Sequence, residues 1–158
     1  MISRIEINNY LIKNQNFLKN KIKFLHNDLW NFNSKDLDFV IDLKTAENSI
    51  WSWAYGIWLA GYLPIVYGVS FFNIGRLEQL RKFFGYKKAP ILIINAGAYG
   101  YNKYGWEHAF KKNDDKKIMK ILNFKIIDSK KYKKTFKKVI NKYVNQNWTN
   151  IYLRLYKD

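Results

Sequence analysis

Residues 41–80, IDLKTAENSIWSWAYGIWLAGYLPIVYGVSFFNIGRLEQL, constrain this chain more than any other stretch. They hold its most apolar segment, and Glu47, the only acid between Asp42 and Glu78, stands at its start. Thr45 predicts a helix N-cap, with Glu47 and Asn48 in the first turn. Apolar and small residues fill positions 50–60, so this helix is expected to be buried nearly all round. Gly61 supplies a stop and Pro64 opens a strand over 64–69. Uninterrupted, residues 49–72 would be long enough to cross a membrane. Gly61 and Pro64 instead cut them into a helix and a strand of soluble length. Trp51, Trp53 and Trp58 lie inside the helix rather than in two interface belts. No membrane span is expected.

The flanking sequence continues the alternation. Ile5, Ile7, Leu11, Phe17 and Leu18 fall at helical spacing and predict a helix over 5–18. A short strand over 22–25 runs into His26-Asn27-Asp28. Residues 31–38 are polar and turn-rich, and 39–43 read as a second strand. An amphipathic helix over 74–84 ends at Gly85 as its C′ residue. Residues 89–94 form a buried strand, followed by a Gly/Tyr-rich loop over 97–105. A helix over 114–122, a strand over 124–127, a Lys-rich helix over 129–144 capped by Ser129, and a strand over 151–155 complete the chain. This order predicts one α/β domain over 1–158: a doubly wound, mainly parallel sheet of about six strands with helices on both faces. Such sheets bind ligands beyond the C-terminal ends of their strands. The loops that matter are then those at 26–28, 44–47, 70–72 and 97–108.

Hydrophobic content of 48% and aromatic content of 18% exclude a disordered chain despite the Lys and Asn bias. The formal charge of +16 favours anionic partners, although the crowding of lysines between Lys111 and Lys142 equally describes solvated helix faces. There is no cysteine, hence no disulfide and no thiolate metal site, which suits a reducing, cytoplasmic location. The N-terminal MISRIEINNYLIKNQ lacks the apolar core of a signal peptide.

Glu47 reads in two ways. It complements the helix dipole from the first turn, or it is a buried carboxylate whose raised pKa lets it share a proton with a ligand nitrogen. Phe71 and Phe72 end a strand at the ligand edge, as core residues or as a platform for a flat heterocycle. His108, in GWEHAF, is one of two histidines and either structural or a donor to a substrate oxygen. Gly97-Ala98-Tyr99-Gly100 is too short for a dinucleotide fingerprint. There is no P-loop, no metal-ligand spacing and no Ser-His-Asp arrangement.

Taken together, these residues resemble a known family. TAENSIWSWAYGIWLAGYLPIVYGVSFF is similar to the AEQ-x-x-x-x-x-A-x-G-x-A-x-x-G-x-x-P segment of transketolase-type pyrimidine-binding domains. GRLEQLR, KAPILII, a Gly-rich loop and a histidine follow in the family's order. HNDL resembles an early Asp-Leu, and the closing IYLRLYK resembles YIRLGR. The likeness runs over nearly the whole chain. It implies the thiamine-diphosphate-binding fold, with thiamine diphosphate as cofactor. Glu47 matches the glutamate that hydrogen-bonds the aminopyrimidine and promotes its imino tautomer, the catalytic role. Phe72 matches the ring that stacks on the pyrimidine, with Phe71 beside it, and Asp28 an acid near the cofactor. His108 matches a substrate-contacting histidine, and Lys157 stands where a phosphate-binding arginine is common. Departures are Asn48 for the usual Gln, one histidine for a pair, and a GRLEQ one residue short. Lys157 also cannot form arginine's bidentate fork.

No Gly-Asp-Gly diphosphate motif occurs in the sequence. The resemblance therefore implies a split enzyme, with Mg²⁺ and the diphosphate held mainly by a partner chain, assembled as a homodimer or an α2β2 complex. It would transfer a two-carbon ketol or acyl unit between sugars or 2-oxo acids, with an anionic, phosphorylated or nucleotide-linked sugar as substrate. The sequence leaves two alternatives: a non-catalytic basic module for nucleic acid or another polyanion, and a degenerate regulatory subunit of the same fold.

Overall fold

A computed structural model describes residues 2–26, 36–44, 49–68, 76–96, 113–132, 134–145 and 147–155. In chain order these form α1 (Arg4–Lys13), α2 (Gln15–Leu18), β1 (Ile22–His26), β2 (Val40–Asp42), α3 (Ile50–Leu59), β3 (Leu63–Gly68) and α4 (Leu77–Leu80). A π-helical turn (Arg81–Tyr86) continues α4, and β4 (Ile91–Asn95), α5 (Asp114–Ile121), β5 (Lys125–Asp128), α6 (Phe136–Val144) and β6 (Asn150–Arg154) follow. The strands make one parallel six-stranded sheet in the order β2-β1-β3-β4-β6-β5. The doubly wound α/β architecture expected from the alternation is present.

The central strands show why the sheet is parallel and covered. β3 (LPIVYG) and β4 (ILIIN) are buried at every position, as strands with helices on both faces require. Successive side chains alternate between two cores. Ile22, Phe24, Ile65, Tyr67, Leu92, Ile94, Ile151 and Leu153 meet α1, α2 and α6 on one face. Leu25, Val66, Ile91, Ile93 and Tyr152 meet α3, the π-helical turn and α5 on the other. Two helix boundaries fall where the sequence puts them: Gly61 at φ 87° ends α3, and α5 begins at Asp114; β3 opens one residue before the expected Pro64, at Leu63.

Four expectations are corrected. The first helix is two, because Asn14 leaves helical geometry and turns its amide onto the Tyr10 carbonyl. α3 is not buried all round: Ile50, Trp51, Ala54 and Ile57 are buried and Tyr55 and Trp58 pack partly buried beside them, while Trp53 is 52% and Leu59 65% exposed. Gly85 is not a C′ residue but lies inside the π-helical turn, and the left-handed position beyond it falls to Lys88 at φ 54°. The wide turn carries Phe83 onto Tyr55, stacked at 4.6 Å, and Phe84 against Trp51 at 6.1 Å, so two adjacent rings both pack on α3. Finally, Ser129 caps no helix. Its N–H bonds the Arg154 carbonyl, and the chain then turns on the Asp128 carbonyl, which accepts from the Lys131 and Tyr132 amides. α6 starts only at Phe136, whose N–H is taken by Glu6 Oε1 from α1 at 2.6 Å. A carboxylate from a distant helix satisfies the orphan donor that a local cap would have served. The predicted Thr45 cap lies outside the described residues.

Candidate functional site

Because all six strands are parallel, their C-terminal ends share one edge. The last rows of the ladder pair His26 with Asp42 and Tyr67, Gly68 with Asn95, and Arg154 with Asn95 and Asp128. The chain steps outward from β1 to β2 and back across β1 to β3, so the topological switch lies at the His26 and Tyr67 ends. α1 begins at this edge too: Arg4, in its first turn, donates from Nη2 to the Ala96 carbonyl at 2.8 Å.

Among the described residues, two polar clusters occupy the edge. On one side His26, 3% exposed, places Nδ1 at 3.7 Å from Asp42 Oδ1. Asp42 accepts from the Lys44 N–H at 2.9 Å and meets Lys44 Nζ at 2.8 Å, with Lys44 held at φ 53°. Partial burial pulls the Asp42 carboxyl up. The Lys44 hydrogen bonds and the charges of His26 and Lys44 outweigh it and hold the group below the usual carboxylate value. On the other side, Arg154 and Asp115 are 1% and 0% exposed. Arg154 Nε and Nη2 donate to the two oxygens of Asp115 at 2.6 and 3.1 Å, and Tyr152 Oη donates to the same carboxylate at 3.1 Å. Asn95 Nδ2 bonds Tyr152 Oη, and Asp128 joins through Arg154 Nη1 at 3.5 Å and Lys116 Nζ at 2.9 Å. This network ties β4, β5 and β6 to the first turn of α5.

Each residue the sequence singles out follows one of these strand ends in the chain. Asp28 follows β1, Glu47 follows β2, Phe71 and Phe72 follow β3, His108 follows β4 and Lys157 follows β6. All six lie outside the described residues. Sequence reasoning placed His26 in a ligand-edge loop without giving it a role, and passed over Arg4, Asp42 and the Arg154–Asp115 pair. One signal was available: in a chain of 28 Lys and Arg, only four are arginine, and two of these, Arg4 and Arg154, end at this edge. Arginine is retained where a planar fork is needed. Among the described residues, no three His, Cys, Asp or Glu side chains gather as a metal site. No described helix is long and apolar enough to cross a membrane.

The outer face of α3 is a second feature. Ser49, Ser52, Trp53, Gly56, Ile57 and Ala60 line a shallow apolar groove along it. A Cβ added at Gly56 would meet nothing within 4 Å among the described residues. Packing among the described residues therefore does not account for a mid-helix glycine that costs about 0.5–1 kcal/mol relative to alanine. No residue between Glu47 and Arg76 carries a charge.

No protein-family model matches the chain, and no curated protein is similar to it. Among solved structures, one described as a split-gene transketolase, an inactive β4 tetramer, matches with a TM-score of 0.70 and 20% identity. The match covers 98% of this chain and 50% of that one, so the chain spans about half the length of the protein it resembles. At this identity the likeness establishes the fold: the chain shares its doubly wound α/β architecture with about half of that protein.

Proposed function

We propose that this chain is the pyrimidine-binding subunit of a split, thiamine-diphosphate-dependent enzyme of transketolase type. It would transfer a two-carbon ketol or acyl unit between sugars or 2-oxo acids. The observation that carries the reading is the fold likeness over 98% of the chain to a protein itself described as a split-gene transketolase. The donor types suit one half of such a cofactor: a carboxylate, Glu47, and the rings of Phe72 and Phe71 for the heterocycle, with Asp28 near them. When bound, thiamine diphosphate supplies the carbon nucleophile that an amino-acid side chain cannot. Glu47 holds a proton at the pyrimidine ring, Phe72 and Phe71 cover the heterocycle, and His108 orients a substrate oxygen. Arg4, fixed on the Ala96 carbonyl at the same edge, is the cation we assign with Lys157 to the anionic end of the substrate. Mg²⁺ and the diphosphate belong to the partner chain.

Assembly follows from α3. A chain of charge +16 repels its own copies, and its charge-free α3 face, with small residues at Ser52, Gly56 and Ala60, lets two helices approach. A homodimer or an α2β2 complex built across this face leaves the sheet edge for the diphosphate-binding partner.

Glu47→Gln tests the chemistry. It keeps the side chain's shape and withdraws the proton partner of the ring. In the complex reconstituted with the partner and Mg²⁺, hydrogen–deuterium exchange at the cofactor's C2 carbon slows by roughly 10²–10⁴-fold, while assembly persists. An unchanged exchange rate removes Glu47 from the mechanism, and the catalytic reading with it.

A further inference from the structure

The amino-terminal end of the sheet lies opposite the candidate site. Two hydrogen bonds fix it as one edge. The Leu63 N–H donates to the Lys21 carbonyl at 2.9 Å and the Ile91 N–H to the Thr149 carbonyl at 3.0 Å, so the starts of β1 and β3, and of β4 and β6, lie side by side. Four aromatic rings come just ahead of these strands: Phe17 before β1, Tyr62 before β3, Tyr86 before β4 and Trp148 before β6. The sheet order β1-β3-β4-β6 lays them out in chain order, and strands about 4.8 Å apart spread the four starts over roughly 15 Å.

Each of the four carries a cation. Lys21 Nζ lies 4.5 Å from the Phe17 centroid, and Lys23 Nζ 4.8 Å from that of Tyr62. The Arg81 guanidinium lies 5.4 Å from Tyr86, while Lys125 and Lys142 lie 4.1 and 4.7 Å from Trp148. The cation–π pairs formed between described residues are all at this end. The described carboxylates stand elsewhere. Glu6, Glu78, Asp114 and Asp115 occupy the first turns of α1, α4 and α5, and Asp42 and Asp128 end β2 and β5. Asp36 and Asp38 precede the edge strand β2, beside the row of rings. Complementing a helix C-terminus accounts for Lys142, in the last turn of α6. It does not account for Lys21, Lys23 and Lys125, which lie at strand starts, or for the rings beneath them.

We propose that this edge binds single-stranded nucleic acid, its bases stacking on the rings and its phosphates pairing with the lysines over them. Aromatic platforms flanked by cations hold a strand without reading its sequence. Tyr86 at 75% and Phe17 at 46% exposure are open to a base as they stand. A duplex hides its base faces and leaves the rings idle. An anionic bilayer favours apolar tips that reach beyond the charges, whereas the Tyr62 and Trp148 rings are half-buried beneath ammonium groups. The formal charge of +16 acts in the same direction. The edge faces away from the proposed cofactor site and does not depend on it.

Fluorescence anisotropy with the full chain and short labelled oligonucleotides tests the proposal. Single-stranded DNA or RNA should bind more tightly than the corresponding duplex, with a log–log salt slope of about −0.7 per phosphate contacted. Tyr86→Ala should weaken binding roughly 5–150-fold, the loss of one stacked base. Lys125→Gln with Lys142→Gln should lower the affinity and make the salt slope shallower by about 1–2. Lys137→Gln with Lys138→Gln removes the same charge from the first turn of α6, at the sheet's other end, and should change the affinity far less. Equal weakening by the two double variants, an unchanged affinity in Tyr86→Ala, or a duplex bound as tightly as a single strand overturns the proposal. So does binding to phosphatidylserine vesicles with no binding to either oligonucleotide.

Discussion

Asp115→Asn isolates the buried ion pair that closes one end of the sheet. In the folded chain, the Asp115 carboxylate receives both nitrogens of the Arg154 fork and the Tyr152 hydroxyl, and neither charged side chain is more than 1% exposed. The substitution keeps the shape and removes the charge. Arg154 then stays buried, with Asp128 at 3.5 Å as the nearest other described carboxylate, and Lys116 already holds that carboxylate at 2.9 Å. Breaking a buried pair from one side costs about 3–5 kcal/mol. For a domain of this length each kcal/mol lowers Tm by about 2–4 °C, so a fall of about 6–20 °C is expected. Thermal unfolding followed by tryptophan fluorescence and circular dichroism measures it. Because the pair is dry, the deficit should persist in 1 M salt, where an exposed pair such as Glu78–Arg81 is screened. The double replacement Asp115→Leu with Arg154→Met should recover most of the loss, since apolar residues of similar volume carry no desolvation penalty. A single-variant Tm within about 2 °C of the parent, or a double variant less stable than the sum of its parts, refutes the reasoning.

Tyr143 donates to the Pro64 carbonyl at 2.7 Å from full burial, and that burial pushes its phenol well above the ordinary value. The unfolded chain ionises this tyrosine above about pH 10 while the folded chain keeps the proton, so stability falls as pH rises past that point. Tyr143→Phe should cost about 1–3 kcal/mol near neutrality by orphaning the carbonyl, and should flatten the alkaline slope seen in pH-dependent urea unfolding. On α3, Gly56→Ala should stabilise the isolated chain by about 0.5–1 kcal/mol, because the new Cβ meets nothing. Gly56→Leu or Trp53→Lys should dissociate the assembly in sedimentation velocity. An unchanged sedimentation coefficient in both variants rules out this face as the interface.

Local sequence determines much of this protein. The fully apolar runs at β3 and β4 can only be central strands, and the alternation of strand and helix patterns around them dictates a parallel, doubly wound sheet. Gly61 and the Asp114 helix start are equally local, set by backbone freedom and by acids in a first turn. The candidate site is legible only through resemblance, since single Glu, Phe and His residues carry no spacing of their own and all six lie outside the described residues.

What tertiary structure decides is partnership across sequence distance. The Glu6 carboxylate that starts α6 lies 130 positions from the amide it caps, and the Arg154 fork lies 39 from Asp115. Neither pairing leaves a trace in any local window, so Ser129 looks like the cap that Phe136 receives from α1. The π-helical turn likewise answers to where its Phe83 and Phe84 rings reach α3, a packing partner that no local window shows. The exposed face of α3 shows the same limit from the other side. Apolar composition states that a surface avoids water, and only the folded chain shows that Trp53 and Leu59 are exposed rather than packed in the core.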